Sequence, residues 1–319
     1  MLRSFLITLS KAAWAQELIT KWKFAWRAAS RFVAGSTIQE AVIVVKELNA
    51  KGFNVSLDHL GESTTTREEA IRATNDILDL LDQIELADLR ANVSVKLTQV
   101  GLSLDVELCS QNLDRILARA GQYGNFVRID MEDTPFTERT IQQYRQMRAN
   151  GHQKTGLVIQ SYLFRSNKDM EELQKELTRI RLVKGAYKEP PDLAFPKKAD
   201  VDTNFDTLAQ DLVDCALAAG SPRLDADGRI PPIPAFGTHD EKRIQFAKEY
   251  AARVGLPKQA LEFQMLYGIR RDLQNQCRSE GYPVRIYVPY GTHWYPYFMR
   301  RLAERPANVW FFVSNYFKK

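Results

Sequence analysis

The sequence predicts an α/β fold, a closed (β/α)8 barrel of parallel strands carrying an N-terminal helical extension. Three observations predict it. Short apolar strands alternate with helical patterns through eight rounds. Nearly every strand runs into polar residues, as barrel strands do at their C-terminal mouth. The 319 residues suffice for eight such units and an arm. A doubly wound open sheet is the alternative, but no GxGxxG follows a strand and no GxxxxGK[ST] occurs. The expected division is a helical arm over residues 1–50 and a catalytic barrel over 51–319.

Taken in order, residues 37–48 carry helical spacing, and Gly52 breaks it before the first strand, FNVSLD at 53–58. Thr66 and Glu69 make a capping-box pattern ahead of Ile71, Ile77, Leu78, Leu81 and Ile84 at helical spacing. The second strand is predicted at 92–96, with a helix around 108–117 closed by Gly121. The third lies at 126–130, with a helix at 137–150 closed by Gly151. The fourth lies at 157–160 before a helical pattern at 168–177, and the fifth at 180–184. A Pro- and Lys-rich insertion at 188–201 precedes a helix at 204–219. The sixth strand is 233–236, with Asp240 capping a helix through Arg253; the seventh is 261–264 and the eighth 284–288. Pro289 and Gly291 stop the last strand, and helical spacing resumes at Trp294, carrying the adjacent Arg300 and Arg301.

Composition excludes a membrane-spanning chain, because no apolar run approaches the required length. Cys109, Cys215 and Cys277 form no CxxC and cannot all pair within one chain, which points to a reducing compartment and a cytoplasmic location. The formal +5 charge is concentrated in residues 1–35, where Arg3, Lys11, Lys21, Lys23, Arg27 and Arg31 face Glu17 alone. With Trp14, Trp22, Phe24 and Trp26 interleaved, this arm is expected to pack on the body. Peripheral contact with the inner face of a membrane is its functional reading, and no nucleic-acid partner is expected. The first fifteen residues resemble a signal only weakly, since Lys11 interrupts a short apolar run.

The strand ends carry Asp58 and Glu62, Lys96, Asp130, Gln160, Lys184, Thr238 with His239, Gln264 and Tyr287, a polar ring around one mouth. Lys96 and Asp130 suit a buried pair. With Arg300 and Arg301 they imply a compact anionic ligand, most simply a carboxylate gripped by guanidinium forks, beside an apolar wall of Tyr287 and Leu266. Arg300 and Arg301 read equally as solvated charges in a last helical turn, with Glu304 pairing to Arg300. Lys184, ending a strand in RLVKGAY, leaves open a Schiff-base lysine. His59, His239 and His293 lie near strand ends, but no HxH or HExxH pair supports a metal, and none is expected.

The motifs DHLGE at 58–62, SVKL at 94–97, RIDMED at 128–133, VIQSYLFR at 158–165, RLVKGAY at 181–187, THD at 238–240, EFQMLYG at 262–268 and RIYVPYGTHWYPYFMRRLAE at 285–304 run in order over most of the body. Together they resemble the proline dehydrogenases, above all the short monofunctional bacterial enzymes. That resemblance implies a distorted TIM-like barrel that binds FAD without a Rossmann domain. It implies oxidation of L-proline to Δ1-pyrroline-5-carboxylate by hydride transfer from C5 to the flavin N5, with electrons passed to a membrane quinone, as the first step of proline catabolism to glutamate. Lys96, Arg300 and Arg301 would hold the proline carboxylate, with Asp130 fixing Lys96, Tyr287 and Leu266 packing on the ring, and Glu62 pairing with Arg300 across the mouth. Met131, Gln160, Arg181, Val183, Lys184, Gly185, Ala186, Thr238 and His239 would contact FAD. Asp130 and Arg181 are the expected catalytic residues, Arg181 near N5 where negative charge develops.

Overall fold

In the computed structural model, which describes residues 23–61 and 63–304 with isolated positions 9, 16 and 19 in the arm, eight parallel strands close in sequence order. They are β1 (Asn54–His59), β2 (Ala91–Val95), β3 (Val127–Ile129), β4 (Thr155–Gln160), β5 (Arg179–Val183), β6 (Pro234–Gly237), β7 (Glu262–Leu266) and β8 (Val284–Tyr290), and β8 pairs with β1 from Asn54↔Arg285 to His59↔Tyr290. The open-sheet alternative is thereby excluded.

The helices, in order, are α1 (Lys23–Ala29), α2 (Ile38–Ala50), α3 (Arg67–Leu86), α4 (Val106–Gln122), α5 (Thr134–Ala149), α6 (Ser166–Lys175), α7 (Lys198–Ala218), α8 (Glu241–Val254), α9 (Arg271–Ser279) and α10 (Trp294–Glu304). Local chemistry explains several of their ends. Thr37 with Glu40 and Thr66 with Glu69 form reciprocal capping boxes, and Asp240 caps α8 by accepting from Lys242 N at 3.0 Å. Gly151, at φ +98°, follows α5 as expected. Gly121 does not close its helix: it lies inside α4, and Gly124, at φ +65°, makes the turn instead. The 188–201 insertion is mostly a strap over the end of β4, joined by the antiparallel bridge Leu163↔Ala194, and α7 starts at its far end. Helix α9 is not foreseen by the sequence pattern; it has nine residues, and the face it buries, Leu273, Gln274 and Cys277, carries only two apolar side chains.

One large core lies between the strands and the helical layer, and Ala41 and Val45 of α2 belong to it, so α2 is packed on the barrel. A second, smaller core joins α1 to α10: Trp26 meets Trp294 edge-on at 5.5 Å, and Phe32 lies 6.4 Å from Phe298. The described part of the arm therefore packs on the helix that carries Arg300 and Arg301. Among the described residues no helix is long and apolar enough to cross a membrane.

The barrel interior departs from the usual filling of branched apolar side chains. Asn54, Ser56, Asn92, Ser94, Arg128, Arg181, Glu262, Gln264 and Arg285 are all buried. The loop between α7 and β6 closes the N-terminal end: Asn92 donates to Arg229 O at 2.8 Å, and Arg285 to Gly228 O at 2.9 Å. In this space, sealed from water on that side, Arg181 and Arg285 are paired with Asp130 and Glu262, whereas Arg128 donates to carbonyls, those of Leu157, at 2.9 Å, and Arg179.

At the rim of the barrel, Lys184, just past β5, ties Asp202 of α7 to Asp240, the N-cap of α8, each at 2.5 Å. Against burial, which would raise it, the hydrogen bond from Lys184 holds the Asp240 carboxyl down to about 2. A depressed folded value means the ionised group supports the fold above its unfolded value near 3.8, with that support lost as pH falls through about 2. Asp240→Asn is therefore expected to lower unfolding free energy by about 1 kcal/mol near neutrality, allowing for solvent screening, with the difference closing in strong acid. Urea unfolding at several pH values measures it; a gap that stays constant would remove the pair from the stability account.

Candidate active site

The strands are parallel and close on themselves, so all eight C-terminal ends open on one side, where a cavity of about 430 Å³ sits. Lys96, Asp130, Met131, Gln160, Arg181, Val183, Lys184, Gly185, Ala186, Thr238, His239, Leu266, Tyr287, Arg300 and Arg301 all line it. Glu62 lies outside the described residues, and with it the expected pairing across the mouth to Arg300.

The ion pairs differ from the expected ones. Lys96 Nζ donates to Asp58 Oδ1 at 2.7 Å, so its carboxylate partner is on the neighbouring β1 and not Asp130. The reason is register: β1 and β2 align Asp58 with Ser94, two residues before Lys96 on the same face. Asp130 instead accepts from Arg181 NH1 and from the Tyr287 hydroxyl, each at 2.7 Å. Burial, with the Asp130 charge adding to it, pushes the Tyr287 phenol well above its ordinary range, so it stays a proton donor to that carboxylate.

Arg181 is held on every nitrogen. Its NH2 reaches Ser94 Oγ at 3.1 Å, its Nε donates to Gln264 Oε1, and its guanidinium lies 5.3 Å from the Tyr287 ring centre. A cation fixed by this many contacts needs no rearrangement to face charge developing above it. Arg301 is buried on α10 with its guanidinium 5.0 Å from the Tyr297 ring centre.

Around the rim, Gln160, which lines the cavity, donates to Glu132 O at 2.8 Å. His239 Nε2 accepts from Leu266 N at 3.0 Å, which assigns the ring proton to Nδ1. Gly185 has φ +117°, and a Cβ there would fall 2.2 Å from the Tyr162 ring, so only glycine fits this turn at the rim. The Lys184 amine is engaged by two carboxylates, which counts against the Schiff-base reading. Among the described residues no cluster of His, Cys, Asp or Glu has the grouping to hold a metal.

Sequence reasoning did not single out Tyr187, Tyr297, Val158, Gly237 or Met265, which also line the cavity. Tyr297 was within reach of it, four residues before Arg301 and hence on the same helical face. The Asp58 partnership is the more consequential omission, visible only as a two-residue offset between adjacent strands.

Comparison with known proteins agrees with this geometry. The proline dehydrogenase family profile matches residues 41–313. The chain is 40% identical to proline dehydrogenase 1 of Bacillus subtilis strain 168, covering 100% of both chains. It is 41% identical to the proline dehydrogenase of Deinococcus radiodurans, covering 92% of this chain and 91% of that one. Proline utilization A of Bdellovibrio bacteriovorus superposes with a TM-score of 0.79 at 25% identity, covering 88% of this chain but 33% of that longer one. Likeness along the whole of the short enzymes, and along only part of the long one, matches the monofunctional bacterial type. This chain therefore belongs to the proline dehydrogenase family, flavin-dependent oxidoreductases whose barrel carries out the first step of proline catabolism.

Proposed function

We propose that the chain oxidises L-proline to Δ1-pyrroline-5-carboxylate with FAD as the immediate acceptor, and that a membrane quinone takes the electrons onward. The observation that carries this reading is the shared cavity of Lys96, Arg300 and Arg301 with the Arg181–Asp130–Tyr287 cluster. Three cations at one opening suit a carboxylate.

The donor set also fits a flavin. Met131, Val183 and Ala186 offer apolar surface to a flat ring system, while Gln160, Thr238 and His239 add hydrogen-bonding groups for its polar edge. Lys184 and Gly185 complete the set at the rim, and Arg181 is the cation on the floor. Bound FAD would supply the two-electron acceptor for hydride leaving C5 of proline.

The chain's own residues bind and orient. Lys96, Arg300 and Arg301 hold the carboxylate, which fixes which ring carbon faces the acceptor. Tyr287 and Leu266 pack on the ring. Asp58 and Asp130, the carboxylates lining the cavity among the described residues, already accept from Lys96 and Arg181. Neither stands ready as a base, so proline reacts as the free amine: its lone pair forms the C5=N bond as hydride leaves, and the N–H proton passes to solvent. The cationic, aromatic arm is the element suited to hold the enzyme against an anionic membrane where a quinone is reached.

The test is a visible spectrum. The purified protein is expected to be yellow, to bleach when L-proline is added without oxygen, and to recover its colour with a soluble quinone. A protein that takes up no FAD would overturn the cofactor reading; one that is yellow but unbleached would overturn the substrate.

A further inference from the structure

Beneath the cavity lies a buried chain that the proposed chemistry does not yet use. Glu262, at the start of β7, is fully buried and does not line the cavity. Its Oε1 accepts from Gln264 Nε2 at 2.6 Å and from Arg285 Nε at 2.9 Å; its Oε2 accepts from Arg285 NH2 at 3.1 Å. Gln264, two residues further along the strand and on the same face, presents its Oε1 to Arg181 Nε.

A glutamine amide donates at one end and accepts at the other. With its NH2 group spent on a carboxylate, Gln264 has only its oxygen to turn toward Arg181. Flipped, it would set its NH2 against the arginine N–H and its oxygen against the carboxylate of Glu262. Both contacts would repel in a space with little water to relieve them. Arg285 locks Glu262 in turn, since its NH1 also donates to Val55 O and its NH2 to Gly228 O, each at 2.9 Å.

We propose that Glu262 is a positioning residue for the oxidation: acting through the Gln264 amide, it fixes the direction of the Arg181 guanidinium under the cavity, and so sets the rate of turnover more than the affinity for proline. This rests on the role given to Arg181 above.

Two variants of the full-length, flavin-loaded enzyme test it. Glu262→Gln keeps the shape but can offer either end to Gln264; kcat is expected to fall about tenfold with KM for proline within about twofold, and the flavin absorption band is expected to shift. The exchange Glu262→Gln with Gln264→Glu moves the carboxylate one place up the strand face. The carboxylate introduced at position 264 then accepts directly from Arg181 and from the amide NH2 introduced at position 262, whose oxygen is left for Arg285 NH2; Arg285 keeps the Val55 and Gly228 carbonyls. That double variant is expected to recover kcat to within about threefold of the parent.

A merely structural Glu262, needed to neutralise Arg285, would show no such recovery. An unchanged kcat in Glu262→Gln overturns the proposal. So does a folded double variant that stays slower than that threefold limit; where neither folds, Gln264→Leu, which cuts the same link and leaves Glu262 on Arg285, must show the loss in kcat, and an unchanged kcat there overturns the proposal. Arg181→Met separates the two readings. Should it turn over at the parent rate, the role of Arg181 fails; should it be slow while Glu262→Gln is not, only the Glu262 link fails.

Discussion

Arg181→Met is expected to lower kcat about a hundredfold while leaving KM for proline nearly unchanged, because it removes a preorganised cation from the floor of the cavity and spares the cations proposed to clamp the carboxylate. The size follows from the way the guanidinium is held. Asp130, Ser94 and Gln264 each take one of its nitrogens, so its orientation is settled before substrate arrives. Methionine fills much of the volume without charge. It leaves Asp130 with the Tyr287 hydroxyl as its hydrogen-bond donor, and some loss of stability accompanies the loss of rate. Single-turnover bleaching of the flavin at saturating proline, with flavin content measured on the same sample, checks it. A rate within threefold of the parent would remove Arg181 from the chemistry.

Arg301→Met is expected to do the converse, raising KM for proline about ten- to a hundredfold with flavin content little changed, since one charge-assisted contact to a carboxylate is worth about 1.5–3 kcal/mol. Arg301 is on α10, remote in sequence from the rim residues of β4 to β6 expected to hold the flavin, so its loss should be felt by the substrate first. Its guanidinium packs near the Tyr297 ring, and methionine can keep that apolar contact. Steady-state kinetics over a wide proline range distinguishes the outcomes. An unchanged KM would take Arg301 out of the clamp.

These two residues also mark the limits of what a sequence discloses. That both belong to one site was legible: parallel strands separated by helices have one common C-terminal side, and polar residues at strand ends must then share it. The capping box at Thr66 and the Asp240 cap were legible too, because capping depends on residues two or three positions apart. Helix α9 was not read: Leu273, Gln274 and Cys277 do share one helical face, but only two of them are apolar and the helix is nine residues long. Nor was the polar interior. A strand such as FNVSLD shows alternation, but alternation does not say which face meets helices and which meets the lumen.

The pairings were the least accessible. Lys96 was expected to meet Asp130, and a sequence permits that, because both follow strands that are neighbours in the sheet. The stagger between β1 and β2 gives Lys96 to Asp58, and Asp130 is left for Arg181 of β5, two strands away. The Arg285–Glu262–Gln264–Arg181 chain is similarly invisible in EFQMLYG and VRIYVPY read separately.

By itself, then, the order and period of the residues determined the barrel, its single polar mouth and the cations gathered there, because these follow from contacts local to a strand, a turn or a helix. Only closure of the sheet decided which carboxylate each cation holds: side chains as far apart in the chain as Asp130 and Tyr287 come within bonding distance once strand register and stagger are set, and neither quantity is written in any one segment.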